Sequence, residues 1–141
     1  MQNYAHLQYQ KTQVTTVDSG KVVVLLYEGA IKFLRKSQEG IAENDIEKRH
    51  NNLMRAVDII DELNNSLNFS EGGEIAISLR TLYDFMYGHL TSANIKNDPQ
   101  MIQGAVNMLS SLKDAWEEVA SNPEIEKPEP NPTNATGGIR V

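Results

Sequence analysis

The sequence has no cysteine among its 141 residues and no long apolar run. The missing thiols exclude disulfides, thiolate metal sites, iron–sulfur clusters and a cysteine nucleophile, and they are compatible with a reducing compartment. The longest apolar stretch, from Val22 to Tyr27, is six residues, whereas a transmembrane helix needs roughly 20. Residues 1–10 also lack the basic and apolar regions of a signal peptide. We therefore expect a soluble, cytoplasmic protein without stable membrane insertion.

Basic residues are outnumbered in this chain. Thirteen Lys and Arg residues face nineteen Asp and Glu residues, which gives a formal net charge of -6. Because nucleic-acid binding depends on basic groups that neutralise phosphates, this balance argues against a DNA or RNA partner. Hydrophobic residues still make up 40% of the chain, which is enough to form the core of one domain of this length.

Proline is absent from the first 98 residues, and four of the five prolines lie between Pro123 and Pro132. Since a proline inside a helix costs about 3 kcal/mol, the long proline-free stretch permits long helices. Residues 122–141 are rich in Pro, Glu, Asn, Thr and Gly, a composition typical of disorder. We predict a single domain over residues 1–121, with an N-terminal arm over 1–17 and a disordered tail over 122–141.

Apolar residues in the domain recur at spacings of three and four, which predicts four amphipathic helices. Asp18 or Ser19 is placed to cap the first helix and Asp45 the second, while Ser70–Gly73 has turn composition. Asp98 followed by Pro99 predicts the start of the fourth helix. The predicted core positions are Val22, Leu26, Ala30, Phe33 and Ser37, then Ile46, Leu53, Val57, Ile60 and Leu67, then Ile75, Leu79, Leu82, Met86, Leu90 and Ala93, and finally Ile102, Ala105, Val106, Leu109, Leu112, Trp116 and Val119.

The turns between these helices are short, so consecutive helices must run in opposite directions. The sequence therefore predicts an all-α fold, an antiparallel up-down four-helix bundle.

Several apolar residues fall outside the predicted core stripes at about 100° per residue. A contiguous group of them would indicate an interface, whereas half-burial between neighbouring helices is the alternative for each one. The residues concerned are Val24, Leu25 and Ile31 in the first helix, Met54 and Ile59 in the second, and Ile77, Phe85 and Tyr87 in the third.

The N-terminal residues form a second unusual segment, in which Tyr4, Leu7, Tyr9, Val14 and Val17 stand among Gln and Thr without a regular period. Such a segment is typical either of an arm that docks into a groove or of a frayed terminus. The residues themselves leave both interpretations open.

No arrangement of residues supports catalysis or a cofactor. Glu47 and His50 have the Glu-x-x-His spacing of di-metal bundles, but the pair has no second copy, and Lys48 and Arg49 between them would repel a cation. His89 lies near the edge of a core stripe, where a hydrogen-bonded boundary histidine is the simpler interpretation. We expect no metal, no cofactor and no enzymatic activity.

Two strings carry a family resemblance. The string from Leu25 to Leu34, Leu-Leu-Tyr-Glu-Gly-Ala-Ile-Lys-Phe-Leu, resembles the first-helix signature of the flagellar secretion chaperone family (FliS), usually Leu-Tyr-Asp-Gly-Ala-Ile. The string from Gly72 to Ala76, with the later Leu-Tyr-Asp-Phe-Met at 82–86, is similar to the third-helix signature. The segment from Leu90 to Asn94, then Asp98, Leu112 and Trp116, also fits the family. Where the family commonly has Thr-Ala-Ser-Pro, this chain has Thr-Val-Asp-Ser-Gly at 16–20.

The resemblance implies a chaperone that binds the C-terminal segment of flagellin, prevents premature polymerisation and assists delivery to a component of the flagellar type III export gate. Family members bind flagellin as an extended, partly helical chain along apolar grooves, which the N-terminal segment can occupy in the free protein. The resemblance leaves dimerisation of the free protein open. The expected partner-binding residues are Tyr4, Leu7, Tyr9, Val24, Tyr27, Ile31, Ile59, Ile77, Tyr83 and Phe85, with packing as an equal alternative for the two signature tyrosines, Tyr27 and Tyr83.

Two other functions stay open from the sequence. A generic helical adaptor or regulator would bind a different amphipathic segment, and a metal-dependent bundle enzyme would require bound metal.

Overall fold

The computed structural model describes residues 19–121, which form four helices and, within that range, no strand. The expected arm and tail lie outside the described residues. The helices are α1 (Ser19–Ala42), α2 (Ile46–Asn65), α3 (Phe69–Lys96) and α4 (Pro99–Ser121).

Two of the predicted helix caps are confirmed. The Asp45 side chain accepts a hydrogen bond from the backbone N–H of Lys48 at 3.0 Å, which satisfies one of the free donors at the start of α2. The Asp98 side chain accepts from the N–H of Gln100 at 2.9 Å, and Pro99 occupies the first position of α4. The predicted cap of α1, Asp18 or Ser19, lies outside the described side chains.

The third helix begins earlier than its composition suggested. Asn68 caps it by accepting from the N–H of Glu71 at 3.1 Å, so helical backbone begins before the predicted turn at Ser70–Gly73. The predicted break is present at Gly73, where φ is 53° and ψ is -128° and the chain bends. Only glycine adopts this backbone conformation without strain, which explains how the turn residues lie within the helix.

The helices pack in a ring. The main contacts join α1 to α2 and α4, and α3 to the same two helices, so α1 and α3 lie diagonally opposite. Connections of only two or three residues join consecutive helices, which makes neighbours antiparallel. The predicted up-down four-helix bundle is confirmed. Contacts are densest between α1 and α2, and α3 is the most lightly packed of the four helices.

The tight approach of α1 and α2 depends on Gly40. A Cβ atom built at Gly40 would lie 2.5 Å from the backbone nitrogen of Arg49, a distance that no side chain tolerates. The hydroxyl of Ser37 donates to the carbonyl of Arg49 at 2.8 Å in the same region. A buried serine thus links the two helices where their backbones come closest.

Two residues of the predicted core stripes are exposed. Ile46 is 69% exposed because it is the first residue of α2, beyond the covered part of the bundle. Ile75 is 56% exposed, and its neighbour Ala76 takes the buried position after the bend at Gly73. The predictions of Ile46 and Ile75 as core residues are therefore wrong. The buried stripe of α3 runs through Gly72, Ala76, Leu79, Tyr83, Met86, Leu90 and Ala93.

The buried face of α1 is also broader than expected. Val23, Tyr27 and Leu34 are buried beside the predicted Leu26 and Ala30. The reason is that α1 packs closely against two helices at once, so that a wider arc of its surface is covered.

Candidate partner-binding surface

Most of the large apolar side chains exposed in the described part of the chain lie on α3. This helix carries apolar residues around its whole circumference, but it packs lightly on its two neighbours. Exposed apolar groups concentrated on one element indicate an interaction surface, because single groups scattered over a surface are normal. The exposed residues are Phe69, Ile75, Ile77, Phe85, Tyr87 and Ile95 on α3, with Leu25 on α1 and Ile46 and Met54 on α2.

One flank of α3 carries apolar side chains and meets α4 at His89. Residues at i, i+3 and i+7 share a helix face, which places Leu82, Phe85 and His89 in one line. Met101 and Met108 have the same seven-residue spacing on α4 and are partly buried against the core. The hydrogen bond from His89 to the backbone carbonyl of Met101 shows that the two lines come together at this end. We call this the α3–α4 surface, which consists of Ile75, Leu82, Phe85, His89, Met101 and Met108.

His89 joins the two sides of this surface. Its ring stacks on Phe85 with a centroid distance of 5.3 Å and an interplanar angle of 21°. Its Nε2 lies 2.8 Å from the carbonyl oxygen of Met101. Since a carbonyl can only accept, Nε2 carries the proton and donates. The prediction of a hydrogen-bonded boundary histidine is confirmed, and His89 holds the Phe85 ring beside α4.

Ile77 and Phe85 are both more than half exposed, but they occupy different flanks of α3. Asp84 lies one helical repeat of seven residues after Ile77 and accepts from Asn64 of α2 at 2.9 Å, so this flank faces α2. Phe85 stacks on His89 and faces α4. These two predicted residues therefore do not line one groove.

Val24 and Ile31 lie on a third edge of the bundle. Both are half-buried and pack against the core. Glu28 lies between them on the same face and approaches Lys113 of α4, with 3.9 Å between Oε2 and Nζ. These two residues border the α1–α4 seam, away from the α3–α4 surface, so half-burial between helices describes them better than an open groove does.

Ile59 is a correction to the sequence interpretation. It is only 5% exposed and belongs to the core, so its placement outside the core stripe was wrong. A Cβ built at Gly29 of α1 would lie 3.3 Å from Cδ1 of Ile59, which shows how closely this side chain faces α1. The missing side chain at Gly29 provides the space that buries Ile59.

Tyr27 and Tyr83 are completely buried, which fits the packing alternative for these signature tyrosines. Their hydroxyl oxygens lie 2.7 Å apart, and either one can donate. Burial raises the pKa of Tyr27 to about 12, although hydrogen bonds with Tyr83 and with Trp116 act in the opposite direction. Burial also raises the pKa of Tyr83. Both phenols are therefore neutral at physiological pH and stay in the core.

The expected arm residues Tyr4, Leu7 and Tyr9 lie outside the described residues. Conversely, the sequence interpretation placed Ile75 and Leu82 of this surface in the core and did not single out Met101 and Met108. The spacing of Met101 and Met108 carried a signal, because two flexible thioether side chains seven residues apart are common at adaptable binding surfaces.

The described part of the chain holds no group of three His, Cys, Asp or Glu side chains that could bind a metal. His50, the histidine of the Glu-x-x-His spacing, is hydrogen-bonded through Nδ1 to the Asn94 side chain at 2.9 Å.

A cavity of about 290 Å³ opens at the end of the bundle near Gly40, Asn44 and Arg49. The guanidinium of Arg49 donates to Asn94 and Asn97 there, at 3.0 and 3.1 Å, so it serves to join helices.

The fold is a four-helix bundle in which one lightly packed helix exposes several large apolar side chains, a feature typical of proteins that bind other proteins. None of the described helices has the length and apolar character needed to cross a membrane.

The family model described as flagellar protein FliS matches residues 1–123. The flagellar secretion chaperone FliS of Bacillus subtilis (strain 168) is 34% identical over 131 residues, covering 93% of this chain and 92% of its own length. That of Vibrio cholerae (strain El Tor Inaba N16961) is 35% identical over 108 residues, covering 77% of this chain and 79% of its own length. The FliS of Salmonella typhimurium (strain LT2) is 31% identical over 111 residues, covering 78% of this chain and 82% of its own length.

The chain belongs to the flagellar protein FliS family. The names of these relatives assign the family an export chaperone role in flagellum biogenesis and point to a non-enzymatic function.

Proposed function

We propose that this chain binds the C-terminal segment of flagellin, prevents its premature polymerisation and assists its delivery to the flagellar type III export apparatus. The proposal is carried by the concentration of exposed apolar side chains on α3 in a member of a secretion chaperone family. The shape of the α3–α4 surface supports it further, because a long strip between two helices suits a segment that binds along its length.

Recognition would use the mode in which an amphipathic segment lays its apolar positions onto a hydrophobic strip. Fully burying a large apolar side chain contributes about 1.5–3 kcal/mol. Ile75 and Phe85 are about half exposed, at 56% and 55%, so each contributes roughly 1 kcal/mol when covered. The matching side chains of the partner contribute as well. Several such contacts must be made together, because they have to offset the entropy lost when a disordered segment becomes ordered.

The N-terminal arm remains part of the proposal. Its apolar residues Tyr4, Leu7 and Tyr9 would cover the apolar surface in the free protein and give way to flagellin. Removal of residues 1–17 would then expose that surface permanently. We expect tighter flagellin binding and more self-association in the truncated chain. An unchanged affinity together with an unchanged oligomeric state would contradict this role.

The proposal is tested by co-purification of the full chain with intact flagellin and with flagellin that lacks its C-terminal segment. We expect the chain to co-purify with intact flagellin but not with the truncated flagellin. Equal binding to both forms would show that the C-terminal segment is not the ligand. A failure to bind either would favour an adaptor for a different partner.

A matched pair of variants locates the binding surface. Phe85 on α3 and Leu25 on α1 are both 55% exposed, so substitution by alanine removes a similarly exposed side chain from each helix. Phe85→Ala is expected to weaken flagellin binding by about fivefold, the equivalent of roughly 1 kcal/mol. Leu25→Ala is expected to leave it unchanged. Equal losses would place the surface elsewhere.

A further inference from the structure

A buried hydrogen bond joins two helices that lie diagonally opposite in the bundle. The main helix contacts run around the ring, from α1 to α2, α3 and α4. Across the middle, the hydroxyl of Tyr27 on α1 meets the hydroxyl of Tyr83 on α3 at 2.7 Å, and neither side chain has any exposed surface. The bond therefore fixes α3 relative to α1 directly, without an intervening helix.

The two hydroxyl groups differ in their polar surroundings. The indole of Trp116 on α4 lies close enough to the Tyr27 hydroxyl to act against the rise in the pKa of Tyr27. Among the described residues, Tyr83 has hydrogen-bond contact through its hydroxyl with Tyr27 alone. The Tyr27 hydroxyl therefore lies between polar groups of α3 and α4.

The other polar contacts that fix α3 lie at its flanks and its end. Asp84 accepts from Asn64 of α2, His89 donates to Met101 of α4, and Asn94 accepts from Arg49 of α2. Because α3 is the most lightly packed helix, its position depends more on such specific contacts than that of α1 does. Tyr83 is adjacent in sequence to Leu82 and precedes Phe85 by two residues, so movement of Tyr83 moves the α3–α4 surface as well.

We propose that the Tyr27–Tyr83 hydrogen bond sets the position of α3 and thereby the width of the α3–α4 surface, so that both tyrosines act as positioning residues for partner binding. This inference rests on the proposed binding of flagellin at that surface. The two buried tyrosines do not touch the partner, and they act through the helix that carries Leu82 and Phe85.

The test uses the full chain with Tyr27→Phe, Tyr83→Phe and the double variant. Tyr87→Phe is the control, because it removes a hydroxyl from a half-exposed ring of the same helix. Affinity for the isolated C-terminal flagellin segment is measured where every variant is fully folded. Hydrogen exchange of the α3 amides is measured in the free proteins.

All three core variants lack the bond, so each is expected to bind about three- to tenfold more weakly, the range that corresponds to one buried hydrogen bond. Each is also expected to exchange its α3 amides faster than Tyr87→Phe does. A purely structural role predicts a different pattern, in which affinity follows stability and the double variant binds better than Tyr27→Phe. Wild-type affinity in the three core variants would overturn the inference.

A wild-type protein that does not bind the flagellin segment would contradict the proposed function and leave the positioning role to be decided by hydrogen exchange. In that case, α3 amides exchanging equally fast in Tyr83→Phe and Tyr87→Phe would overturn the inference independently.

Discussion

The two buried tyrosines lead to an asymmetric stability prediction. Tyr83→Phe removes one hydrogen bond, but the Tyr27 hydroxyl keeps the indole of Trp116 as a polar neighbour. We expect a loss of about 1 kcal/mol in the free energy of unfolding, the usual net value of one hydrogen bond. Tyr27→Phe removes the same bond and leaves the Tyr83 hydroxyl buried without that partner. A stranded polar group costs about 1–3 kcal/mol more, so the expected loss is about 2–4 kcal/mol.

The double variant separates the two contributions. With both hydroxyl groups replaced by hydrogen, no phenol is stranded, and the shape of both rings is retained. We therefore expect the double variant to be more stable than Tyr27→Phe alone, which is a strong departure from additivity between contacting residues.

Urea denaturation followed by circular dichroism and by fluorescence provides the assay. Trp116 is the sole tryptophan of the sequence, so its emission reports on the affected region. With a slope of about 2 kcal/mol per molar urea, a stability difference of about 1–3 kcal/mol places the midpoint of Tyr27→Phe roughly 0.5–1.5 M below that of Tyr83→Phe. Equal midpoints, the reverse order or additive losses would refute the hydrogen-bond scheme.

Further predictions concern the helix glycines and alkaline pH. Gly40→Ala places a Cβ against the backbone of Arg49 and should lower the free energy of unfolding by at least about 1–3 kcal/mol through overpacking. Gly88→Ala meets no atom within 4 Å and should raise the free energy of unfolding by up to about 1 kcal/mol through helix propensity. Thermal unfolding compares the two variants, and equal shifts in the melting temperature would contradict the close contact at Gly40. The pKa of Tyr27 is raised to about 12 in the fold, so the neutral phenol stabilises the fold fully below pH about 10 and this contribution is lost as the pH rises through 12. Between pH 9 and pH 11.5 the free energy of unfolding should fall less in the Tyr27→Phe, Tyr83→Phe double variant than in the wild-type protein. An equal fall in both proteins would show that these phenols do not contribute to the pH dependence.

The helices and two of their caps could be predicted because they depend on local chemistry. Asp45 and Asp98 each cap a helix through a side chain that reaches only two or three residues along the chain. Such contacts are encoded in adjacent residues, and no tertiary packing is needed to recognise them.

The rotation of α3 could not be predicted in the same way. A helix with apolar residues on every side gives no clear preferred face, so Ile75 and Ala76 were equally plausible core residues. The bend at Gly73 decides between them, and the turn composition of Ser70–Gly73 indicated a break there but not the direction in which the helix resumes.

The candidate surface was predicted only in part, because it depends on which helices become neighbours. Phe85 and Ile77 were recognised as exposed, but their separation onto two flanks follows from the packing of α3 between α2 and α4. Ile59 was misplaced because its burial depends on the missing side chain of Gly29 in another helix. Contacts of this kind between distant residues have no local signature.

The most direct test of the central claim is hydrogen exchange of the full chain with and without the C-terminal flagellin segment. If flagellin binds at the α3–α4 surface, amides in residues 75–89 and 101–112 should become protected in the complex, with little change in residues 46–65 of α2. Protection confined to α2, or no change anywhere in the bundle despite binding, would contradict the assignment of this surface.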